Sequence, residues 1–82
     1  MTIISTPNGD VHFESEDNTV EIDVANTAWS HGESVVVGVS NWPYGRYDEH
    51  GERAPEGDAT VALSVDEFKA LALAMANAAD RL

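Results

Sequence analysis

Residues 59–82 read ATVALSVDEFKALALAMANAADRL, and this stretch decides the fold. Its first part, Ala59 to Leu63, follows a Pro- and Gly-containing segment and predicts a strand. Ser64 then stands as a helix N-cap, with Glu67 at the third helical position, which together are typical of a capping box. We therefore predict a strand that turns directly into a helix running from Val65 to Leu82.

The predicted helix is amphipathic. At 100° per residue one face collects most of its large apolar side chains, whereas charged residues and Asn77 lie opposite. Leu73 falls on the polar face, and we expect it to mark a second contact surface, with a homodimer as one option. The residues of the apolar face are Phe68, Leu71, Ala72, Met75, Ala79 and Leu82.

Segments upstream of this helix have the patterns of strands. Residues 3–4 and 11–13 flank the turn sequence Thr-Pro-Asn-Gly at 6–9, which predicts a hairpin. Residues 19–25 alternate apolar and acidic side chains, which indicates a half-buried strand. Residues 35–39 read VVVGV, and this continuous apolar run is the best candidate for a central strand.

These elements predict one small α+β domain over residues 1–82. Its two layers are a four- to five-stranded antiparallel sheet and one C-terminal helix packed across it. A chain of 82 residues is short enough that a single domain is expected. Asp48 to Gly51 repeats the turn pattern of the first hairpin, so we also predict a small hairpin between Tyr47 and Arg53.

The end of the chain resembles a group of known proteins. The end of the sequence is similar to the C-terminal part of many small actinobacterial and actinobacteriophage proteins. In both, a strand is followed by Leu-Ser, by acidic positions and by an Ala-Leu-Ala helix that ends in Ala-Ala-Asp. The segment from Tyr47 to Arg53 is similar to theirs as well. The resemblance covers residues 47–82 and implies antiparallel strands with a C-terminal Ala-Leu-rich helix. Those proteins are largely uncharacterised, so it implies no functional residue.

Composition excludes several classes of function. The chain has 15 acidic and 4 basic side chains, a formal net charge of −11, and no cysteine. Without cysteine there is no thiolate nucleophile and no Cys-based zinc site. A strongly negative chain also repels the phosphate backbone, so direct nucleic-acid binding is not expected. We expect no cofactor.

The sequence shows no targeting or membrane signal. Residues 1–10 lack the basic and apolar regions of a signal peptide. No apolar run approaches the ~20 residues of a membrane span. We therefore expect no membrane partner and a bacterial or phage-host cytoplasmic location.

The acidic residues form two groups, over residues 14–23 and 48–58. Three interpretations stay open. They can provide solubility and protect strand edges, or they can form an electrostatic surface for a basic protein such as a nucleic-acid-binding enzyme. Calcium binding is the third, although the sequence contains no EF-hand loop pattern.

An aromatic segment follows the predicted central strand, where residues 41–47 read NWPYGRY. Trp, Tyr and Arg are the residue types that dominate interface hot spots, so we expect this segment to bind a partner. The alternative is that the rings cap the open side of the sheet, with Arg46 stacked on one of them. The predicted partner-binding residues are Trp42, Tyr44, Arg46, Tyr47, Asp48 and Glu49, together with Leu73.

The sequence contains no recognisable catalytic motif. The histidines, His12, His31 and His50, form no H-E-x-x-H motif, and we expect structural or solvent-exposed roles for them. Residues 38–42 begin like a G-x-S-x-G nucleophile elbow, but a Trp replaces the second Gly.

The function expected from these features is a non-enzymatic protein-interaction domain. It would be a phage or actinobacterial accessory protein that binds a host protein or itself. The alternative is an acidic nucleic-acid mimic that inhibits a DNA- or RNA-binding enzyme. A third option is a minor metal-binding or enzymatic role using Asp48, Glu49 and His50.

Overall fold

The computed structural model of the chain describes residues 1–27 and 34–82. Within them, a five-stranded antiparallel sheet carries one C-terminal helix, and a two-stranded ribbon lies apart from the sheet. The predicted α+β class is thereby confirmed, whereas His31 lies outside the described residues. The strands are β1 (Thr2–Ser5), β2 (Val11–Glu14), β3 (Val20–Asn26), β4 (Ser34–Asn41), β5 (Tyr47–Asp48), β6 (Gly51–Glu52) and β7 (Gly57–Ser64), and the helix is α1 (Val65–Ala79).

The large sheet has the strand order β1-β2-β3-β4-β7, and every neighbouring pair is antiparallel. Strand β4 contains the VVVGV run and hydrogen-bonds a neighbouring strand along each of its two edges. It is an interior strand, as predicted, although the middle position belongs to β3. The ribbon β5-β6 forms in the connection between β4 and β7, and it confirms the predicted small hairpin.

Local turn chemistry sets the two N-terminal connections. Gly9 adopts φ +88°, and its N–H donates to the Thr6 carbonyl oxygen at 3.0 Å, so the predicted first hairpin is confirmed. Asn18 adopts φ +63° in the next turn, where its N–H donates to the Ser15 carbonyl oxygen at 3.0 Å. Left-handed backbone of this kind favours Gly and Asn, which is why these residues stand there.

Strand register divides the sheet into two chemically different faces, because directly paired residues point to the same side. Ile22 lies opposite Phe13 and Val39, whereas Glu21 lies opposite Glu14 and Ser40. We call the first side the apolar face; it includes Phe13, Val20, Ile22, Val24, Val35, Val37, Val39, Val61 and Leu63. We call the other side the acidic face; it includes His12, Glu14, Glu21, Asp23 and Asp58.

The helix begins immediately after β7 through the predicted capping box, which is confirmed. The Glu67 N–H donates to Ser64 Oγ at 3.1 Å, and the Ser64 N–H donates to Glu67 Oε1 at 3.0 Å. The helix packs on the apolar face along β4 and β7. Even so, Val35 and Trp42 are the two buried apolar side chains in the described residues. The enclosed core is therefore small.

Candidate functional site

The aromatic hairpin, defined as residues 42–53, is held at its base by Trp42. The Trp42 side chain is buried, and its Nε1 donates a hydrogen bond to the Arg53 carbonyl oxygen at 3.0 Å. Its backbone N–H donates to the Thr19 carbonyl oxygen at 2.6 Å. One indole therefore ties the two ends of the hairpin together, and its backbone joins them to the sheet.

Arg46 provides a second attachment. Its guanidinium carbon lies 4.2 Å from the centroid of the Trp42 ring, and its Nη1 lies 2.8 Å from Glu21 Oε2 on the acidic face. Its Nε also donates to the Asn18 carbonyl oxygen at 3.2 Å. A cation between a π face and a carboxylate is attracted by both, and the side chain is only 12% exposed. Arg46 therefore fastens the hairpin to β3 and to the turn before it.

The far part of the hairpin presents its tyrosines to solvent. Tyr44 is 75% exposed and Tyr47 is 67% exposed. Asp48 closes the tip, because its Oδ1 accepts the His50 N–H at 2.7 Å and its Oδ2 lies 3.4 Å from Arg53 Nε. The exposed tyrosines therefore lie on a segment whose base is held by the contacts of Trp42 and Arg46.

The structure separates the predicted partner-binding residues into two groups. Trp42 and Arg46 are used inside the chain, in the arrangement that the sequence had left open as an alternative. The tyrosines, Asp48 and Glu49 are exposed on the hairpin. Leu73 is 64% exposed on α1, outside the hairpin. The binding role of all these residues stays a prediction.

A histidine on the acidic face lies between carboxylates. His12 Nδ1 is 2.5 Å from Asp23 Oδ1, its direct neighbour across the β2–β3 pair. His12 Nε2 is 3.1 Å from Glu14 Oε1, two residues along the same strand. Because each ring nitrogen meets a carboxylate oxygen, the doubly protonated imidazolium fits this environment.

These contacts shift the pKa values of the partners in opposite directions. The hydrogen bond to Asp23, followed by the one to Glu14, raises the pKa of His12 from its ordinary 6.5 to about 9. The hydrogen bond from His12 lowers the pKa of Asp23. At neutral pH the cluster is therefore an ion-pair network with a charged histidine.

The same cluster has donor atoms at a spacing that suits a metal ion. One ligand atom from each of His12, Glu21 and Asp23 lies within 4.8 Å of the others. A bound cation would have to displace a proton from His12, since ligating imidazole is neutral, and compete with Arg46 for Glu21. The contacts present favour the proton-bound network.

Sequence reasoning missed this cluster because its members are distant in sequence. His12 was expected to have a structural or solvent role, without a partner named, and the pairing with Asp23 follows only from the β2–β3 register. The usable signal was the alternation of His12 with Glu14 and of Glu21 with Asp23 on either side of a short turn. Asp48, Glu49 and His50, proposed as a metal-binding option, lie on the exposed hairpin tip, where His50 is 84% exposed.

An apolar groove lies between α1 and the apolar face. It has a volume of about 290 Å³ and is open to solvent on one side. From the helix, Leu71 and Met75 reach it while staying 47% and 62% exposed. The remaining lining residues are Ile22, Val24, Val37, Phe68 and Ala72.

Comparison of the chain with protein-family models, with curated proteins and with solved structures found no match. Across residues 1–27 and 34–82, no helix is both long and apolar enough to cross a membrane. The interpretation of the hairpin, the cluster and the groove therefore rests on their geometry.

Proposed function

We propose that the chain is a small, non-enzymatic protein-interaction domain that binds a partner protein through the aromatic hairpin. The observation that carries this proposal is the pair of exposed tyrosines, Tyr44 and Tyr47, on a segment whose base is fixed by Trp42 and Arg46. The accessory role in an actinobacterium or its phage belongs to the same proposal.

A fixed base makes exposed tyrosines effective in binding. Tyrosine offers a large, rigid contact area with a polar end, and it loses little conformational entropy when it is covered. A loop that is already ordered avoids most of the cost of ordering on association. The hydrogen bonds of Trp42 and the ion pair of Arg46 supply that order here.

The charge around the tyrosines specifies the partner's chemistry. Asp48, Glu49, Glu52 and Glu56 are all exposed in or beside the hairpin. Such a rim favours a partner surface that has an apolar patch surrounded by Lys or Arg side chains, and it speeds encounter with that surface. We therefore propose a basic protein surface as the occupant.

The test compares three immobilised proteins in an actinobacterial lysate. They are the wild type, the double variant Tyr44→Ser/Tyr47→Ser, and Ile4→Ser as a control that removes an apolar side chain, 54% exposed, from β1. We expect one protein to be retained by the wild type and the control and lost by the double variant. After purification, its Kd for the double variant should be at least ~10-fold weaker, since two hot-spot side chains are removed. Identical retained sets for all three proteins would overturn the proposal.

Salt dependence distinguishes the acidic mimic from this proposal. Binding through the tyrosines should weaken by about tenfold or less between ~50 and 200 mM salt, because salt screens the exposed acidic rim and leaves the apolar contacts unaffected. A loss of about a thousandfold over the same range would instead support phosphate mimicry by the acidic residues.

A further inference from the structure

We infer that the apolar groove is covered by a second copy of the chain, so that the folded protein is a two-fold symmetric homodimer. This inference concerns a different surface from the aromatic hairpin, and it stands or falls independently of the proposed function.

The chain exposes more surface than a compact monomer would. The accessible surface is 6081 Å², which exceeds by roughly 1,300 Å² the value expected for a compact monomer of this mass. The radius of gyration is 14.6 Å, against about 12 Å for a compact domain of this length. Obligate homodimers bury ~1,000 Å² or more per subunit, so the surplus is about the area that such an interface would cover.

Part of this surplus surface lies on α1 and on the apolar face of the sheet. None of the fifteen residues of α1, all of them described, is fully buried. Val39 and Val61 on the apolar face are 42% and 54% exposed, and Met75, which lines the groove, is 62% exposed. Sheet and helix thus both leave large apolar side chains exposed, and exposed apolar patches on a monomer mark interaction sites.

Charge distribution allows a second copy to cover that surface despite the net charge of −11. Within the five strands of the large sheet, the residues that share the apolar face include no charged side chain. The acidic residues of β2 and β3 alternate onto the other face, where Glu21 also pairs with Arg46. A two-fold contact through the grooves would therefore place the acidic faces on the outside, far from each other.

The identity of the occupant follows from the small size of the core. Val35 and Trp42 are the buried apolar side chains of the described residues, so the chain leaves apolar surface that a second copy can cover. Every folded chain exposes this apolar surface, and other copies of the same chain are present wherever one is made. A two-fold interface also presents the same helix face to each groove.

The experiment measures the mass and stability of the wild-type chain of 82 residues. Light scattering should give twice the 8.8 kDa chain mass, and the urea midpoint should rise with protein concentration because association stabilises the folded state. A monomer whose midpoint is independent of concentration would overturn the inference. If that monomer also had a radius of gyration near 12 Å, the helix would have closed on its own sheet.

Matched variants locate the interface. Leu71→Glu/Met75→Glu places carboxylates in the groove and should weaken dimerisation at least ~100-fold. Asn77→Glu places a carboxylate on the opposite side of the helix, 180° around from Phe68, and it should alter the dimer Kd less than about threefold. If Asn77→Glu dissociates the dimer and the double variant does not, the groove is not the interface. If the double variant fails to fold, the concentration dependence of the wild type still decides the inference.

Discussion

The guanidinium of Arg46 lies 4.2 Å from the ring centroid of Trp42 and 2.8 Å from the Glu21 carboxylate. A cation shared between a buried ring and a half-buried carboxylate has no replacement of the same shape, because lysine cannot stack on the ring with a planar group. This contact joins the aromatic hairpin to the acidic face.

Arg46→Ala should lower the free energy of unfolding by about 1–3 kcal/mol, since it uncovers Trp42 and leaves Glu21 without its ion pair. Arg53→Ala is the control, because its 3.4 Å pair with Asp48 is more exposed and should contribute less than about 1 kcal/mol. Urea denaturation measures both losses. Equal losses would mean that the Arg46 contacts contribute nothing specific.

Stability should fall at high pH because of His12. The pKa of His12 is raised from 6.5 to about 9 on folding, so its contribution is complete below pH 6.5 and is lost as the pH rises through about 9. The pKa of Asp23 is lowered, so its contribution is present above the ordinary carboxyl range and is lost as the pH falls through the lowered value. The network should therefore stabilise the fold most at pH values above the ordinary carboxyl range and below 6.5.

The pH dependence is measured with urea midpoints on both sides of the His12 transition, alongside NMR titration of the His12 ring. His12→Gln should flatten the decline between pH 6.5 and about 9. His50→Gln is the control, since that side chain is 84% exposed and should leave the decline unchanged. A His12 ring that titrates at 6.5 would contradict the network.

Loss of the helix cap should destabilise the protein. Ser64→Ala removes the acceptor of the Glu67 N–H and should lower the free energy of unfolding by about 1 kcal/mol. Ser64→Asp retains a side-chain acceptor at the N-cap and should stay within about 0.5 kcal/mol of the wild type. If the two variants unfold at the same urea midpoint, the cap is not what starts the helix.

Gly9 should tolerate alanine less well than Gly51. Both have positive φ, +88° and +114°, so either alanine should cost about 1–2 kcal/mol. A Cβ at Gly9 would also come within 3.0 Å of Asn26 Nδ2, which hydrogen-bonds the Asn8 carbonyl oxygen at 2.7 Å. Nothing lies within 4 Å of a Cβ at Gly51. Chemical denaturation that ranks Gly51→Ala as the worse variant would contradict this order.

Features fixed by neighbouring residues were predictable from the sequence. The capping box at Ser64 and the turn at Gly9 depend on three to five consecutive residues, and both are confirmed. The continuous apolar run of residues 35–39 indicated a strand paired on both sides, which β4 is.

Features that depend on pairing between residues distant in sequence could not be predicted. Strand β7 pairs with β4 across the whole hairpin excursion, so strand order could not be derived from local pattern. The ion pair of His12 with Asp23 depends on the same kind of register. Trp42 and Arg46 were ambiguous for another reason, since large aromatic and arginine side chains serve both buried contacts and interfaces.

The two-faced register of β3 also limits how the gene can change in length. Inserting one residue into this strand would turn Glu21 and Asp23 towards the helix and expose Ile22 and Val24, because successive side chains alternate. A substitution within the strand leaves this alternation intact. Descendants of this sequence should therefore gain or lose single codons in the turns at 6–10 and 15–18, and within the strands only in pairs or through a bulge.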